Sequence, residues 1–94
     1  MATRRLEVPN KLASRLRSLH PGLKRRLKTV IRIILDDPDT GKSLKDELAG
    51  LHSFRVGRYR LIYRIHPDRI TLVALGPRKS IYEETLRIRQ REKP

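Results

Sequence analysis

Arginines on a regular strand pattern are the residues of this sequence best suited to chemistry. Charged and apolar side chains alternate over residues 54–65, which predicts a β-hairpin. Its second strand would turn Arg58, Arg60 and Arg64 toward one face and most of its apolar side chains toward the other. Guanidinium groups held on a rigid sheet suit a planar or phosphate-bearing anion better than arginines on a mobile tail. The pattern therefore points to nucleic acid.

The charge of the chain also indicates a polyanionic partner. The 94 residues carry 23 Lys and Arg against 10 Asp and Glu, a net charge of +13 with a sequence pI near 11.3. Of the basic residues 16 are arginine, the better bidentate ligand for phosphates and bases. Such a field favours nucleic acid, an acidic protein or, less strongly, an anionic membrane surface. A hydrophobic fraction of 37% with clear periodicity argues against disorder.

Composition disfavours several other classes of protein. With no cysteine and three scattered histidines, we expect no disulfide, no metal site and no cofactor. Even the apolar run at residues 30–35 is broken by Arg32, so we expect no membrane-spanning segment. Residues 1–7 lack the apolar core of a secretory signal. We therefore expect a cytoplasmic protein.

Two helices are predicted in the first half of the chain, after a short strand at residues 4–8. Asn10 is predicted to cap the first helix. The leucines at helical spacing within it are Leu12, Leu16 and Leu19. Pro21 interrupts the chain, and the second helix is predicted from Leu23 to a stop at residues 36–41. So short a break predicts an antiparallel helical hairpin.

Three strands and a final helix are predicted in the second half, with turns at residues 57–58 and 66–69. Ser80 and Glu83 fit a capping box that opens a helix to about Arg91. The order β-α-α-β-β-β-α predicts an α+β fold in a single domain, residues 1–94. An N-terminal strand precedes a helical hairpin packed on one face of a small antiparallel sheet, whose other face stays open.

Two motifs of the second half resemble a known family. Tyr-Arg-Leu-Ile-Tyr at residues 59–63 is characteristic of the RelE/ParE superfamily, the toxins of type II toxin–antitoxin pairs, and the resemblance extends over essentially the whole chain. The turn Gly-Pro-Arg-x-x-Ile-Tyr at residues 76–82 is more discriminating. It resembles the RelE branch, whose members cut messenger RNA in the ribosomal A site, rather than the ParE branch, which poisons DNA gyrase.

The resemblance implies positions for the site. Arg60 falls on the strand arginine of the family, and Arg78 and Tyr82 fall on its later arginine and its C-terminal tyrosine. Arg55 takes the place of one catalytic lysine and keeps its charge. Ser53 takes the place of the other lysine, which is the main departure from the family pattern.

The activity that the resemblance implies is a metal-independent endoribonuclease acting by attack of a 2′-hydroxyl on the adjacent phosphate. Arginines are always protonated, so Arg60 and Arg78 would clamp the phosphate, whereas Tyr82 would transfer a proton as acid or base. These three are the predicted catalytic residues. The predicted RNA-binding residues are Arg55, Arg58, Arg64 and Lys79.

The implied partners are a cognate antitoxin, messenger RNA on the ribosome and ribosomal RNA, with no membrane. Charged residues on a sheet face are most often simply solvated, and the resemblance shifts that balance toward function. Two other functions stay open: a gyrase-directed toxin, and a toxin-derived nucleic-acid-binding protein that does not cleave. The turn at residues 76–82 favours cleavage, and Ser53 leaves room for the alternatives.

Overall fold

Residues 4–92 form five strands and three helices in the computed structural model, which describes that range. The elements are β1 (Arg5–Glu7), α1 (Asn10–Arg17), α2 (Pro21–Asp36), β2 (Lys42–Ser43), β3 (Leu51–Val56), β4 (Tyr59–Ile65), β5 (Arg69–Pro77) and α3 (Ile81–Glu92). Short 3-10 turns at Pro38–Thr40 and Asp46–Leu48 flank β2. Residues 1–3, part of the segment expected to carry no secretory signal, lie outside the described residues, as do residues 93 and 94 of the predicted domain. Within the described range no helix is long and apolar enough to cross a membrane.

The strands pair in the order β1-β5-β4-β3-β2. Antiparallel registers join β2 to β3, β3 to β4 and β4 to β5, whereas β1 runs parallel to β5 and pairs with residues 69–71. The predicted α+β class and element order are confirmed. The sequence did not predict β2 or the parallel edge, because strands of two or three residues are too short to show an alternation.

Helices α1 and α2 cover one face of the sheet, as predicted. The alternation of β4 is confirmed, since Leu61 and Tyr63 are fully buried beneath these helices. The other buried members of this core are Leu12, Leu27, Val30, Ile34, Val56, Ile70, Leu72 and Leu75. The Tyr63 hydroxyl donates a hydrogen bond to the carbonyl oxygen of Pro38 at 2.7 Å, and burial raises the pKa of Tyr63 to about 12. This bond ties the centre of β4 to the turn that follows α2.

Helices α1 and α2 both begin differently from the prediction. Pro9 stands at the N-cap of α1 and Asn10 is its first helical residue, so the predicted Asn10 cap is wrong. Helix α2 begins at Pro21 rather than Leu23, because the fixed φ of proline suits a first helical turn. Nδ1 of His20 caps it by accepting a hydrogen bond from the backbone N–H of Gly22 at 3.1 Å. Histidine is not among the preferred capping residues, and no role was predicted for it.

The second face of the sheet is partly covered, which corrects the expectation that it stays open. Helix α3 lies on it and buries Ile81 against Leu51, Ile62 and Ala74. These strand residues are apolar, and covering them removes apolar surface from water. Toward the turn between β3 and β4 the same face carries arginines instead.

The predicted turns of the second half are present, but the capping box is not. Gly57 has a φ of +61° in the two-residue turn between β3 and β4, the left-handed region that such a hairpin favours. The Ser80 carbonyl accepts the backbone N–H of Glu84 at 3.0 Å, so Ser80 does precede the helix. Within residues 4–92 Glu83 does not bond back to Ser80. Its carboxylate instead pairs with Arg87 one turn later, at 3.2 Å.

Candidate functional site

Two arginines stand side by side across the sheet. Arg55 of β3 is paired with Arg60 of β4, and Arg60 is paired with Gly76 of β5. Paired residues point to the same face, which here is the face that carries α3. A Cβ built on Gly76 would lie only 3.1 Å from Cδ1 of Ile81, so glycine lets α3 begin close to the sheet. We call Arg55 and Arg60 the arginine row.

Tyr82, in the first turn of α3, lies against β3, the strand that contains Arg55. The Tyr82 hydroxyl lies 3.3 Å from Oγ of Ser53, within hydrogen-bond distance. Ser53 precedes Arg55 by two residues on β3, so both point to one face, with their Cα atoms about 7 Å apart. The Tyr82 hydroxyl therefore lies beside the arginine row.

Arg58, Arg78 and Lys79 lie at the same end of the sheet as the arginine row. Tyr59 begins β4 directly after the hairpin turn and is paired with Pro77, the last residue of β5. The hairpin turn and the turn that leads into α3 are therefore neighbours. All three basic side chains are exposed there. The fold thus brings six of the seven predicted site residues to one end of the sheet.

Arg64 is the predicted site residue that lies elsewhere. It is four residues beyond Arg60 on β4, which separates their Cα atoms by about 13 Å. It lines a groove of about 530 Å³ between α1, β5 and α3. The apolar floor of this groove includes Leu12 and Val73, and Arg91 also lines it. Arg64 therefore belongs to a second surface.

The cations beside Tyr82 have no carboxylate partner within residues 4–92. The arginines that form ion pairs in this range are Arg5, Arg15, Arg69 and Arg87. Arg55 donates from Nε to the carbonyl oxygen of Gly57 at 3.1 Å, along the hairpin turn. Arg60 is half-buried. A partly desolvated guanidinium without an anion costs free energy, so this end of the sheet favours an anionic ligand.

A shallow cleft of about 420 Å³ opens beside Tyr82. Tyr82 and Leu86 of α3 form one wall, and the 3-10 turn Asp46–Leu48 forms the other. The Tyr82 ring is half-buried, so its edge can be reached from solvent. The carboxylates nearby do not form a metal centre: residues 4–92 contain no group of three or more His, Cys, Asp or Glu side chains that could hold an ion.

Sequence reasoning did not select Ser53, which the structure joins to Tyr82. The family resemblance marks Ser53 only as the position that lacks a lysine. The alternation of β3 carried the missing signal, because it puts Ser53 on the same face as Arg55. What the alternation could not show is that α3 returns over that face.

The chain matches known toxins over most of its length. The family described as the ParE toxin of the type II toxin–antitoxin system, parDE, matches residues 9–82. Toxin RelG of Mycobacterium tuberculosis is 41% identical to the chain over an alignment of 64 residues, and the match covers 63% of this chain and 74% of RelG.

Solved toxin structures have the same fold. A chain of the archaeal RelE–RelB complex from Pyrococcus horikoshii OT3 is 27% identical, with a TM-score of 0.66 over 81% of this chain and 96% of that one. A chain of the toxin–antitoxin complex RelBE2 from Mycobacterium tuberculosis is 29% identical, with a TM-score of 0.65 over 83% of this chain and 94% of that one. A variant of Escherichia coli toxin RelE in the free state shares the fold over 100% of both chains, with a TM-score of 0.76 at 16% identity. The chain therefore belongs to the RelE/ParE superfamily of type II toxins.

Proposed function

We propose that this toxin is an endoribonuclease that cuts messenger RNA in the ribosomal A site. The observation that carries the proposal is the Tyr82 hydroxyl, held at Ser53 beside the arginine row. Arg78 follows at the same end of the sheet. A phenol and guanidinium groups supply the proton transfer and the charge stabilisation that cleavage of a phosphodiester needs.

The proposed reaction is an attack by the 2′-hydroxyl of the RNA on the adjacent phosphate. A bond forms between the 2′-oxygen and phosphorus while the bond from phosphorus to the 5′-oxygen breaks. The 2′-hydroxyl loses its proton and the departing 5′-oxygen gains one, which leaves a 2′,3′-cyclic phosphate and a free 5′-hydroxyl. Arg60 and Arg78 stabilise the charge that develops on the phosphate oxygens, and Tyr82 transfers a proton at one of the two reacting oxygens.

Removing either the phenol or the exposed guanidinium tests this assignment. We expect Tyr82→Phe to lower the single-turnover cleavage rate on programmed ribosomes by about 10²-fold or more, as loss of a proton-transfer group does. We expect Arg78→Ala to lower it by about 10²–10³-fold, the usual cost of one well-aimed donor. The messenger RNA ends are mapped by primer extension.

The matched control is Arg5→Ala, which removes the same unit of charge from β1 at the opposite edge of the sheet. It should cleave at the wild-type rate. Circular dichroism and antitoxin binding establish that all three variants are folded. Near-wild-type cleavage by both site variants would refute the proposal.

A second candidate is a gyrase-directed toxin, favoured by the match of residues 9–82 to the ParE toxin family and by Ser53 in place of the family lysine. Controlled expression without antitoxin separates the two. Growth arrest with cuts at A-site codons supports the endoribonuclease. Arrest with DNA damage and intact transcripts supports action on gyrase.

We further propose that the toxin works in the cytoplasm, where ribosomes are found, and is held inactive by a cognate antitoxin. Solved relatives of the same fold are toxin–antitoxin complexes. An antitoxin with acidic residues would be drawn to a chain of net charge +13. Contacts with ribosomal RNA would use the exposed basic side of α2, which carries Arg25 and Lys28.

A further inference from the structure

Ser53 is a buried polar residue with one side-chain partner in residues 4–92. Its exposed fraction is 1%. Two of its strand neighbours on the same face, Leu51 on β3 and Ile62 on β4, are apolar and buried. The other two are the cations Arg55 on β3 and Lys42 on β2. A hydroxyl in such surroundings costs free energy unless it is hydrogen-bonded, and the partner here is the Tyr82 hydroxyl at 3.3 Å.

The bond restricts the O–H direction of Tyr82, which the packing of its ring does not. The ring is half-buried and lies between α3 and the turn Asp46–Leu48, with one side open to the cleft. Packing of that kind limits the ring but leaves the O–H bond free to rotate. A serine hydroxyl can donate or accept, so it can hold the phenol in either protonation state.

We propose that Ser53 is a positioning residue for Tyr82, an inference that rests on the proposed endoribonuclease activity. Ser53 occupies one hydrogen-bonding direction of the phenol oxygen and leaves the other for the RNA. Because Ser53 is fixed in β3 two residues before Arg55, it sets the distance between the phenol and the arginine row. Ser53 itself lies too deep to contact the substrate.

A double-mutant cycle between Ser53 and Tyr82 tests the inference. We expect Ser53→Ala to lower the single-turnover rate at saturating programmed ribosomes by about 3- to 10-fold, the usual worth of one neutral hydrogen bond. The half-saturating ribosome concentration should stay within about 2-fold, because the RNA contacts are unchanged. In the Tyr82→Phe background Ser53→Ala should lower the single-turnover rate by less than about 2-fold, because the Tyr82 hydroxyl is already absent.

Ser43→Ala is the matched control, since it removes an exposed serine hydroxyl from the neighbouring strand β2. It should leave every rate unchanged. Ser53→Cys provides a second variant, whose larger thiol keeps a heavy atom on Cβ but is only a weak hydrogen-bonding group, so its cleavage rate should fall as that of Ser53→Ala does. Thermal unfolding and antitoxin binding verify that both Ser53 variants fold.

Two results would overturn the positioning role while leaving the endoribonuclease proposal standing. One is a wild-type rate for Ser53→Ala when Tyr82→Phe is impaired. The other is a double variant whose loss of cleavage rate equals the product of the losses in the two single variants. Such a result would mean that Ser53 acts through the fold and not through Tyr82. A wild-type rate for Tyr82→Phe would instead count against the proposed function itself.

Discussion

Arg60 is a half-buried arginine in the middle of the sheet with no carboxylate partner in residues 4–92. It stands at the centre of three paired strands, next to Arg55 on one side and Gly76 on the other. A structural arginine in this setting would be expected to have an acidic neighbour. The position would suit the phosphate of the proposed RNA substrate.

The geometry of the guanidinium, and not its charge alone, should matter at this position. We expect Arg60→Ala to lower the cleavage rate by about 10²–10³-fold. Arg60→Lys keeps the charge but loses the planar pair of donors, so it should bind ribosomes nearly as well while recovering only part of the rate. Single-turnover cleavage and ribosome pelleting measure the two effects. Full activity of Arg60→Lys would mean that Arg60 supplies only a diffuse positive field.

At the scale of elements, the Tyr63 hydroxyl joins two segments that the backbone ladder does not pair. It bonds from the centre of β4 to Pro38, in the turn between α2 and β2. Burial raises the pKa of Tyr63 from 10.0 to about 12, because the phenolate would lose its hydration. The folded state is therefore more stable while this phenol keeps its proton.

The raised pKa predicts a loss of stability at high pH. Below pH 10 both the folded and the unfolded chain keep the proton, so the contribution of Tyr63 is complete. Between pH 10 and about 12 the unfolded chain loses its proton first, and the free energy of unfolding should fall by roughly 2–3 kcal/mol. Tyr63→Phe lacks this titration, so its stability, measured by urea unfolding, should decline less over that interval. Parallel declines for the two proteins would contradict the assignment.

The sequence predicted the elements whose patterns are long and regular. Seven residues of β4 show the alternation clearly, and Gly57 marks the turn before it. The contact between Ser53 and Tyr82 joins residues 29 apart, and it depends on how α3 crosses the sheet. No local pattern contains that crossing. For the same reason the sequence left one sheet face open and grouped Arg64 with Arg60.

At the scale of the whole molecule, the excess positive charge is spread over several surfaces. One is the end of the sheet that holds Tyr82, and a second is the groove that Arg64 and Arg91 line. The basic side of α2 is a third. In the proposed function, general attraction to RNA would be shared among all three surfaces, whereas contact with the scissile phosphate would use the first alone.

The salt dependence of RNA binding should separate these contributions. In a Tyr82→Phe background, which should cleave only slowly, Arg60→Ala should reduce the slope of log affinity against log salt by about 0.7 for a single-stranded RNA, the value of one phosphate contact. Arg5→Ala should leave the slope unchanged. Fluorescence anisotropy of a labelled oligonucleotide measures both. Equal slopes for the two variants would mean that Arg60 does not touch a phosphate.

The missing side chain at Gly76 makes toxicity vulnerable at a position with no functional group. A Cβ at this position would lie 3.1 Å from Cδ1 of Ile81, so even alanine requires Ile81 to shift by a few tenths of an ångström, directly beside the residue that carries the phenol. A substitution of Gly76 could therefore reduce toxicity although every predicted catalytic side chain is still present. Mutations that abolish toxicity could then be found at Gly76 as well as at the predicted catalytic residues.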